Sequence, residues 1–273
     1  MEILFNSVAG IFVFIFGTAI GSFLNVVVYR IPAKLSILSP PSRCPSCLTP
    51  LGKSENIPIL GWLLLKGKCK HCHVPISLRY PLVEAATGAL FLLVFWQFET
   101  SGEILGYWAF FSWLLALSLI DIDTFTLPNV LTQSGLVVGL GFMLLWGWQE
   151  TGSISGSLVS LTVGMSGAVV GLWLFEAIAF LSSIAYGRTA MGAGDAKLAA
   201  MLGTWLGWKL LLIAGFLACG LGAIAGVAGI ATGWLKRDRP MPFGPFLALG
   251  AFLAVFWGNA LVSTYFNLFF PAS

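Results

Sequence analysis

Charge is scarce in this chain. Lysine, arginine, aspartate and glutamate together make up 9% of its 273 residues. A soluble globular domain carries roughly a quarter, so a fold that meets water on all sides is excluded. The net charge of +3 does not point to nucleic acid either. The basic residues sit in short segments between apolar runs, where membrane topology accounts for them, and no basic footprint for nucleic acid remains. No lysine or arginine precedes the first apolar run, which begins near Val8, and Arg30 and Lys34 follow it. The run is therefore expected to be a membrane helix rather than a cleaved signal peptide, with the N-terminus outside. An internal hydropathy repeat with broken helices in both halves, the mark of many transporters, is also missing.

What the chain has in abundance is apolar sequence, 58% of its residues. Each bilayer crossing takes about 20 mostly apolar residues. The runs at 8–28, 81–98, 104–121, 129–148, 155–183, 191–205, 209–234 and 243–269 predict an all-α polytopic membrane protein with about eight transmembrane helices. Residues 1–28 form the first helix, 29–80 a polar cytosolic loop domain, and 81–273 the remaining seven helices with the acidic clusters. In this layout thirteen of the fourteen basic residues face the cytosol, including Arg188, Lys236, Arg237 and Arg239, and Lys209 alone lies outside. Many of the 32 glycines fall at small-xxx-small spacing, as in Gly17/Gly21, Gly135/Gly139, Gly167/Gly171 and Gly203/Gly207. That spacing lets helix backbones approach closely. Cys219 reads as a small buried hydrophobe.

The polar loop contains Cys44-Pro-Ser-Cys47 and Cys69-Lys-His-Cys72. Two paired-thiolate turns supply four soft ligands, the donor set of a tetrahedral structural zinc. Cytosolic thiols stay reduced, which weighs against disulfides. His71 and His73 are spare donors that read as solvated loop residues. About fifty residues with few large apolar side chains cannot build a core alone, so the metal would nucleate the fold.

Two acidic clusters stand at the edges of apolar runs, where a carboxylate is costly and usually functional. One is Asp121-Ile-Asp-Thr-Phe-Thr-Leu-Pro-Asn129; the other is Asp195 in Met191-Gly-Ala-Gly-Asp-Ala-Lys-Leu198. The predicted topology puts Asp121 and Asp195 at one membrane depth on the cytosolic side. Two carboxylates close together in an apolar setting share a proton, the arrangement of an aspartyl protease. Gly192 and Gly194 allow the backbone to bend ahead of Asp195 and a substrate to come close, and Lys197 stands beside it. If the helix continues through Asp123, positions two apart diverge by about 200°, so only one of Asp121 and Asp123 can face Asp195. Asp121, nearer the apolar run, is the expected partner, and Asp123 a supporting helix-end residue whose loss would weaken activity without abolishing it. Three polar residues stay open at this point. Asn25 packs against a neighbouring helix or reaches the site; Glu84 caps its helix or belongs to a site; Glu176 is a buried polar contact or a third acidic member of the site.

Taken together, Gly21-Ser-Phe-Leu-Asn25, the paired cysteine turns, Arg79-Tyr-Pro81 with Glu84, Asp121 seven residues before Pro128, and the Met191 to Leu198 motif resemble the type IV prepilin peptidases, also called leader peptidase/N-methyltransferases. The resemblance implies a bacterial inner-membrane aspartyl peptidase. Such an enzyme removes the leader of type IV prepilins or type II secretion pseudopilins on the cytosolic face, then methylates the new N-terminal residue with S-adenosylmethionine. It implies Asp121 and Asp195 as the catalytic pair and Cys44, Cys47, Cys69 and Cys72 as zinc ligands. Gly67, Lys68 and Glu84 are candidates for methyl transfer. No glycine-rich loop after a strand marks a soluble methyltransferase fold, so the second activity rests on the resemblance. A presenilin-like or signal-peptide-peptidase-like protease shares Gly-x-Gly-Asp but would carry Tyr before the partner aspartate, where this chain has Ile120. A proton-coupled transporter is the other alternative.

Overall fold

The computed structural model describes residues 2–98, 101–187, 192–233 and 241–270. Every named element among them is a helix: α1 (Glu2–Arg30), α2 (Leu60–Leu64), α3 (Arg79–Phe98), α4 (Glu103–Thr124), α5 (Asn129–Thr151), α6 (Ile154–Tyr186), α7 (Ala193–Ala231) and α8 (Gly244–Phe269). Seven of them are long and apolar enough to cross a membrane by length and composition; α2 is not. Met191 of the second acidic motif and the basic residues Arg188, Lys236, Arg237 and Arg239 lie outside the described residues. The chain divides into two compact units, Met1–Ser112 and Trp113–Ser273.

In the first unit α1 packs along α3, and glycine decides how closely. A Cβ on Gly17 would fall 2.8 Å from the Gly88 Cα, and one on Gly21 2.7 Å from the Glu84 Cα. Any larger residue would push the helices apart, and the dispersion contacts that hold apolar helices together in lipid would go with the separation. Asn25 Nδ2 donates to the Tyr80 carbonyl at 3.2 Å, so its amide joins α1 to the start of α3. Trp108 of α4 stacks on Phe91, with ring centroids 5.0 Å apart and planes within 2°.

In the second unit α7 packs between α6 and α8 and also against α5. Gly167 of α6 and Gly203 of α7 meet backbone to backbone, and Gly171 meets the Ala199 carbonyl. The sequence predicts two helices, 191–205 and 209–234, in this region. The structure has a single 39-residue element interrupted at Gly207, where φ is 69° and ψ 169°. A left-handed φ is open to glycine at little cost. The contacts on α6 show the two arms running back along each other. Gly171 meets Ala199, eight residues before the break, while one turn further on Phe175 meets Gly215, eight residues after it. The first arm, 193–206, is about 21 Å long at 1.5 Å per residue, short of the ~30 Å hydrocarbon core. The eight expected helical segments are therefore present, with the sixth an arm of about two-thirds the hydrocarbon thickness.

Two smaller expectations fail. Glu176 and Cys219 are exposed on the protein surface, not buried. Both lie on helix faces turned away from the close-packed glycine seam, and Phe175, one residue before Glu176, takes the buried position.

Candidate active site and metal centre

Three helix ends of the second unit converge on the acidic residues. α4 continues past Asp121 to Thr124, so Asp121 and Asp123 diverge as helix geometry requires. Asp121 is 5% exposed, whereas Asp123 is on the surface. The Asp121 Oδ2 accepts a hydrogen bond from the backbone N–H of Gly244 at 2.9 Å. Gly244 is the first residue of α8, and its N–H is one of the donors that a helix start leaves without an intrahelical acceptor. The positive end of the helix dipole adds to the attraction for a carboxylate. This partner lies 123 residues along the chain, and the sequence carries no local mark of it. A side chain at position 244 would strike it, because a Cβ there would fall 2.8 Å from Oδ2.

Asp195 is the third residue of α7 and 8% exposed. Its carboxylate accepts from the backbone N–H of Gly192, the N-cap, which is the reach-back half of a capping box. The carboxylates of Asp121 and Asp195 are near enough to interact electrostatically. Gly192 has ordinary extended angles, φ −77° and ψ 146°, so the motif does not bend through a conformation reserved for glycine. Gly194 matters for space: a Cβ there would meet the Leu127 Cβ at 3.0 Å, in the turn that follows Asp121 and Asp123. Lys197 Nζ donates to Asn129 Oδ1 at 2.8 Å, tying the first turn of α7 to the first residue of α5.

The cysteines of the first unit form a separate cluster. The Sγ atoms of Cys44, Cys47, Cys69 and Cys72 all lie within 4.8 Å of one another, with Cys44 to Cys72 at 3.7 Å and Cys47 to Cys69 at 3.9 Å. A zinc ion bound tetrahedrally at about 2.3 Å from each sulfur puts the sulfurs about 3.8 Å apart, so the four thiols can hold such an ion with little rearrangement. Each turn is built to one plan. Arg43 bridges Pro50 and Lys68 bridges Pro75; Cys44 N–H donates to the Thr49 carbonyl and Cys69 N–H to the Val74 carbonyl, both at 3.0 Å. Leu48 and His73, each next after the second cysteine, are left-handed with φ 57° and 56°. The signal in the sequence is Cys-x-x-Cys-x-x-Pro, repeated with an offset of 25 residues, and a reading of the cysteines alone misses it. The Thr49 hydroxyl and then its backbone N–H bring the Cys47 thiol down to about 6. Backbone N–H groups of Cys72 and His71 lower Cys69 as well. The thiolate is the form that binds metal. His71 and His73 are exposed.

Glu84 is buried but does not cap its helix through the dipole, because α3 begins at Arg79 and position 84 lies beyond the first turn. Its carboxylate accepts from the Ile59 N–H at 2.7 Å and from the Ser22 hydroxyl, joining α1, α3 and the start of α2. Gly67 is left-handed, φ 69°, and a Cβ there would fall 2.7 Å from the Trp62 ring. It serves the turn that leads into Cys69, and Lys68 points to solvent.

Helices of spanning length, a close pair of buried carboxylates at their ends and a tetrathiolate loop define a multi-pass membrane protein with the layout of an aspartyl peptidase. Comparison with known proteins agrees. Residues 15–98 match the model of the bacterial peptidase A24 N-terminal domain and residues 108–227 that of the type IV leader peptidase family. A protein of Aeromonas hydrophila named prepilin leader peptidase/N-methyltransferase is 36% identical over 285 residues, covering 94% of this chain and 93% of its own. Relatives of the same name in Stutzerimonas stutzeri and Legionella pneumophila are 36% and 34% identical, covering 92% of this chain and 91% and 92% of theirs. The chain belongs to the type IV leader peptidase family. No solved structure matches it.

Proposed function

We propose that this protein is a bifunctional enzyme of the bacterial inner membrane. It cleaves the leader from type IV prepilins or type II secretion pseudopilins at the cytosolic face and methylates the N-terminus so exposed. The observation that carries the first activity is the pairing of buried Asp121 and Asp195 at two helix ends in a chain whose relatives bear the peptidase name. The pair shares one proton. The ionised carboxylate takes a proton from water as its oxygen attacks the scissile carbonyl, and the protonated one donates to the carbonyl oxygen. The proton taken from water then passes to the leaving amine as the C–N bond breaks. Asp123, exposed on the far side of the helix end, is outside the pair. The backbone N–H groups of Gly244 and Gly192 hold the two carboxylates, while Gly194 and Lys197 support the turns around them.

Cys44, Cys47, Cys69 and Cys72 hold a structural zinc. A site with four protein ligands has no open position for water or substrate, so the ion orders the loop and takes no part in the chemistry. The bias of basic residues toward one side supports an outside N-terminus and a cytosolic active site. The relatives' second name supports methylation; S-adenosylmethionine, when bound, supplies the methyl group to the new amine. Bilayer and pilin-like substrate are the partners that these activities require.

The test is co-expression with a prepilin, followed by mass spectrometry of the substrate N-terminus. Wild type yields the cleaved, methylated form. Asp195→Asn at matched expression yields only the precursor, while still methylating a substrate supplied already cleaved. Cleavage by Asp195→Asn and by Asp121→Asn would overturn the assignment, since loss of an acid–base group costs about 10²- to 10⁴-fold.

A further inference from the structure

Between the two cysteine turns the loop carries Ile57-Pro-Ile-Leu-Gly-Trp-Leu-Leu-Leu65, nine residues with no charge and no polar side-chain group except the tryptophan N–H. The run includes α2 and stands largely on the surface: Leu60 and Leu63 are each 55% exposed and Leu64 74%. Large apolar side chains grouped on a surface mark a place that something covers. We infer that this segment lies in the bilayer leaflet beside the loop, the cytosolic one in the proposed topology, as an interfacial anchor for the zinc-binding loop. The inference rests on α1 and α3 crossing a membrane and on neither enzymatic activity.

Contacts to the two spanning helices set its depth. The Glu84 carboxylate takes the N–H of Ile59 at 2.7 Å and the hydroxyl of Ser22, and Gly21 packs against the Glu84 backbone. Ile59 is therefore level with Gly21 and Glu84 to within the reach of one side chain, and not with the ends of α1 and α3. At 1.5 Å per residue, α3 runs about 7.5 Å from Glu84 back to Arg79, and α1 about 13.5 Å from Gly21 on to Arg30. Those arginines close the apolar runs of the two helices, so the segment is held below the charged level, beside the helix pair. A cavity walled by Ala19, Val26 and Arg30 on one side and by Asn56 and Pro58 on the other places the same stretch of loop alongside the last three turns of α1. Interfacial segments sit about 5–10 Å into the boundary between headgroups and acyl chains. Nine residues cannot cross about 30 Å of hydrocarbon, so the run lies along the leaflet.

A segment can enter lipid only if its backbone is satisfied from within. The N–H groups of Gly61, Leu63 and Leu65 donate to the carbonyls of Ile57, Ile59 and Gly61, and Trp62 Nε1 donates to the Ile76 carbonyl at 3.0 Å. Ile59 is the centre of a γ-turn, with φ 61° and ψ −54°, closed by the Leu60 N–H on the Pro58 carbonyl. That turn is rare and strained, the more so at a β-branched residue. The bond to Glu84 holds it, and α2 leaves it with its leucines outward. Lys53 and Lys66 stand exposed on either side of the run, where long stems can follow the apolar surface while the ammonium groups stay among headgroup phosphates.

The test uses the full-length zinc-loaded protein in nanodiscs whose phosphatidylcholine carries a diazirine either near the ester end or at the tip of one acyl chain. After illumination, peptides covering residues 57–65 are expected to take label with a preference for the ester-end probe, and the middle of α3 with a preference for the tip probe. Leu63→Gln combined with Leu64→Gln is expected to cut the label on 57–65 at least about fivefold, since each amide must leave water, with zinc content and the label on α3 unchanged. Wild-type protein unlabelled at 57–65 by both probes, or a double variant labelled there as strongly as wild type, overturns the inference. So does loss of the wild-type label on adding a saturating prepilin, which would assign the apolar surface to the substrate. An α3 that takes no label from the tip probe would instead overturn the membrane reading of that helix, on which the inference stands.

Discussion

The cysteine loop and the aspartate site solve the same problem, holding a few polar groups at fixed separations, by opposite means. The loop repeats one short plan, at residues 43–50 and 68–75, with the same backbone hydrogen bonds and the same left-handed residue in each copy. Its geometry is local and its four thiols are drawn together by chemistry that a metal completes. The aspartate site has no local plan. Asp121, Asp195 and Gly244 come from three helix ends; the absence of side chains at Gly167, Gly171, Gly203 and Gly250 lets the backbones of α6, α7 and α8 touch, and the Gly244 N–H holds Asp121 to the start of α8. One region depends on atoms that are present, the other on atoms that are not. Substitutions should therefore damage them in different ways.

The largest effect is expected in the loop. Cys72→Ser removes one ligand of four, and metal binding is the main source of order in such a segment; structural zinc is worth about 10–16 kcal/mol in isolated finger peptides. Wild type should carry one zinc per chain by mass spectrometry of the metal. The variant should lose it, and residues 31–78 should become the first site of limited proteolysis while the membrane helices stay resistant. A wild type without stoichiometric metal, or a variant that keeps both metal and resistance, would remove the distinction between the two regions.

A smaller and more selective effect is expected from Gly244→Ala. The added methyl would sit 2.8 Å from the Asp121 Oδ2, so the carboxylate must move and the 2.9 Å hydrogen bond from the backbone must stretch. Misplacement by an ångström can cost about a hundredfold in rate, so prepilin cleavage should fall at least about tenfold with zinc content unchanged. Gly141→Ala is the matching control, because a Cβ there meets nothing within 4 Å. In a helix interior that exchange is neutral or stabilising by up to about 1 kcal/mol. Equal activity in the two variants would show that the space at position 244 is not what holds Asp121.

These contrasts also explain what could be read in the sequence. The long helices were legible to within a few residues, except that α1 starts six residues before the expected Val8 and the short α2 was not expected, because apolar length alone sets them, and the cysteine cluster because its ligands are spaced two and two. Helix periodicity let only one of Asp121 and Asp123 face Asp195 and closeness to the apolar run selected Asp121, which is the buried one of the two. Gly244 was not legible, since a backbone N–H has no side-chain signature and its acceptor is 123 residues away. Glu176 misled for a related reason. In a soluble protein a carboxylate within an apolar run would be buried and partnered, but here the apolar surface of α6 faces outward along most of its length, so a run of apolar residues does not mark the interior. The break at Gly207 was legible only as a gap between two predicted helices. That the first arm stops short of a crossing depends on how α6 meets both arms.

The smallest effect concerns Lys197, which lies two residues from Asp195 and invites a catalytic reading. Its ammonium is held by the Asn129 side chain at 2.8 Å in an exposed setting, where such a contact contributes about 1 kcal/mol or less. It ties α7 to α5 near the acidic pair, and among the described residues no bond joins it to either carboxylate. Lys197→Met keeps the stem and removes the charge, and should lower cleavage by no more than about fivefold, the equivalent of 1 kcal/mol. Asn129→Ala should do the same, and the double variant should be no worse than either alone, because both substitutions break a single contact. Additive losses in the double variant would mean that the two side chains act separately. A Lys197→Met enzyme as inactive as Asp195→Asn would place the ammonium among the groups that meet the substrate, and the boundary between the acidic pair and its support would have to be redrawn.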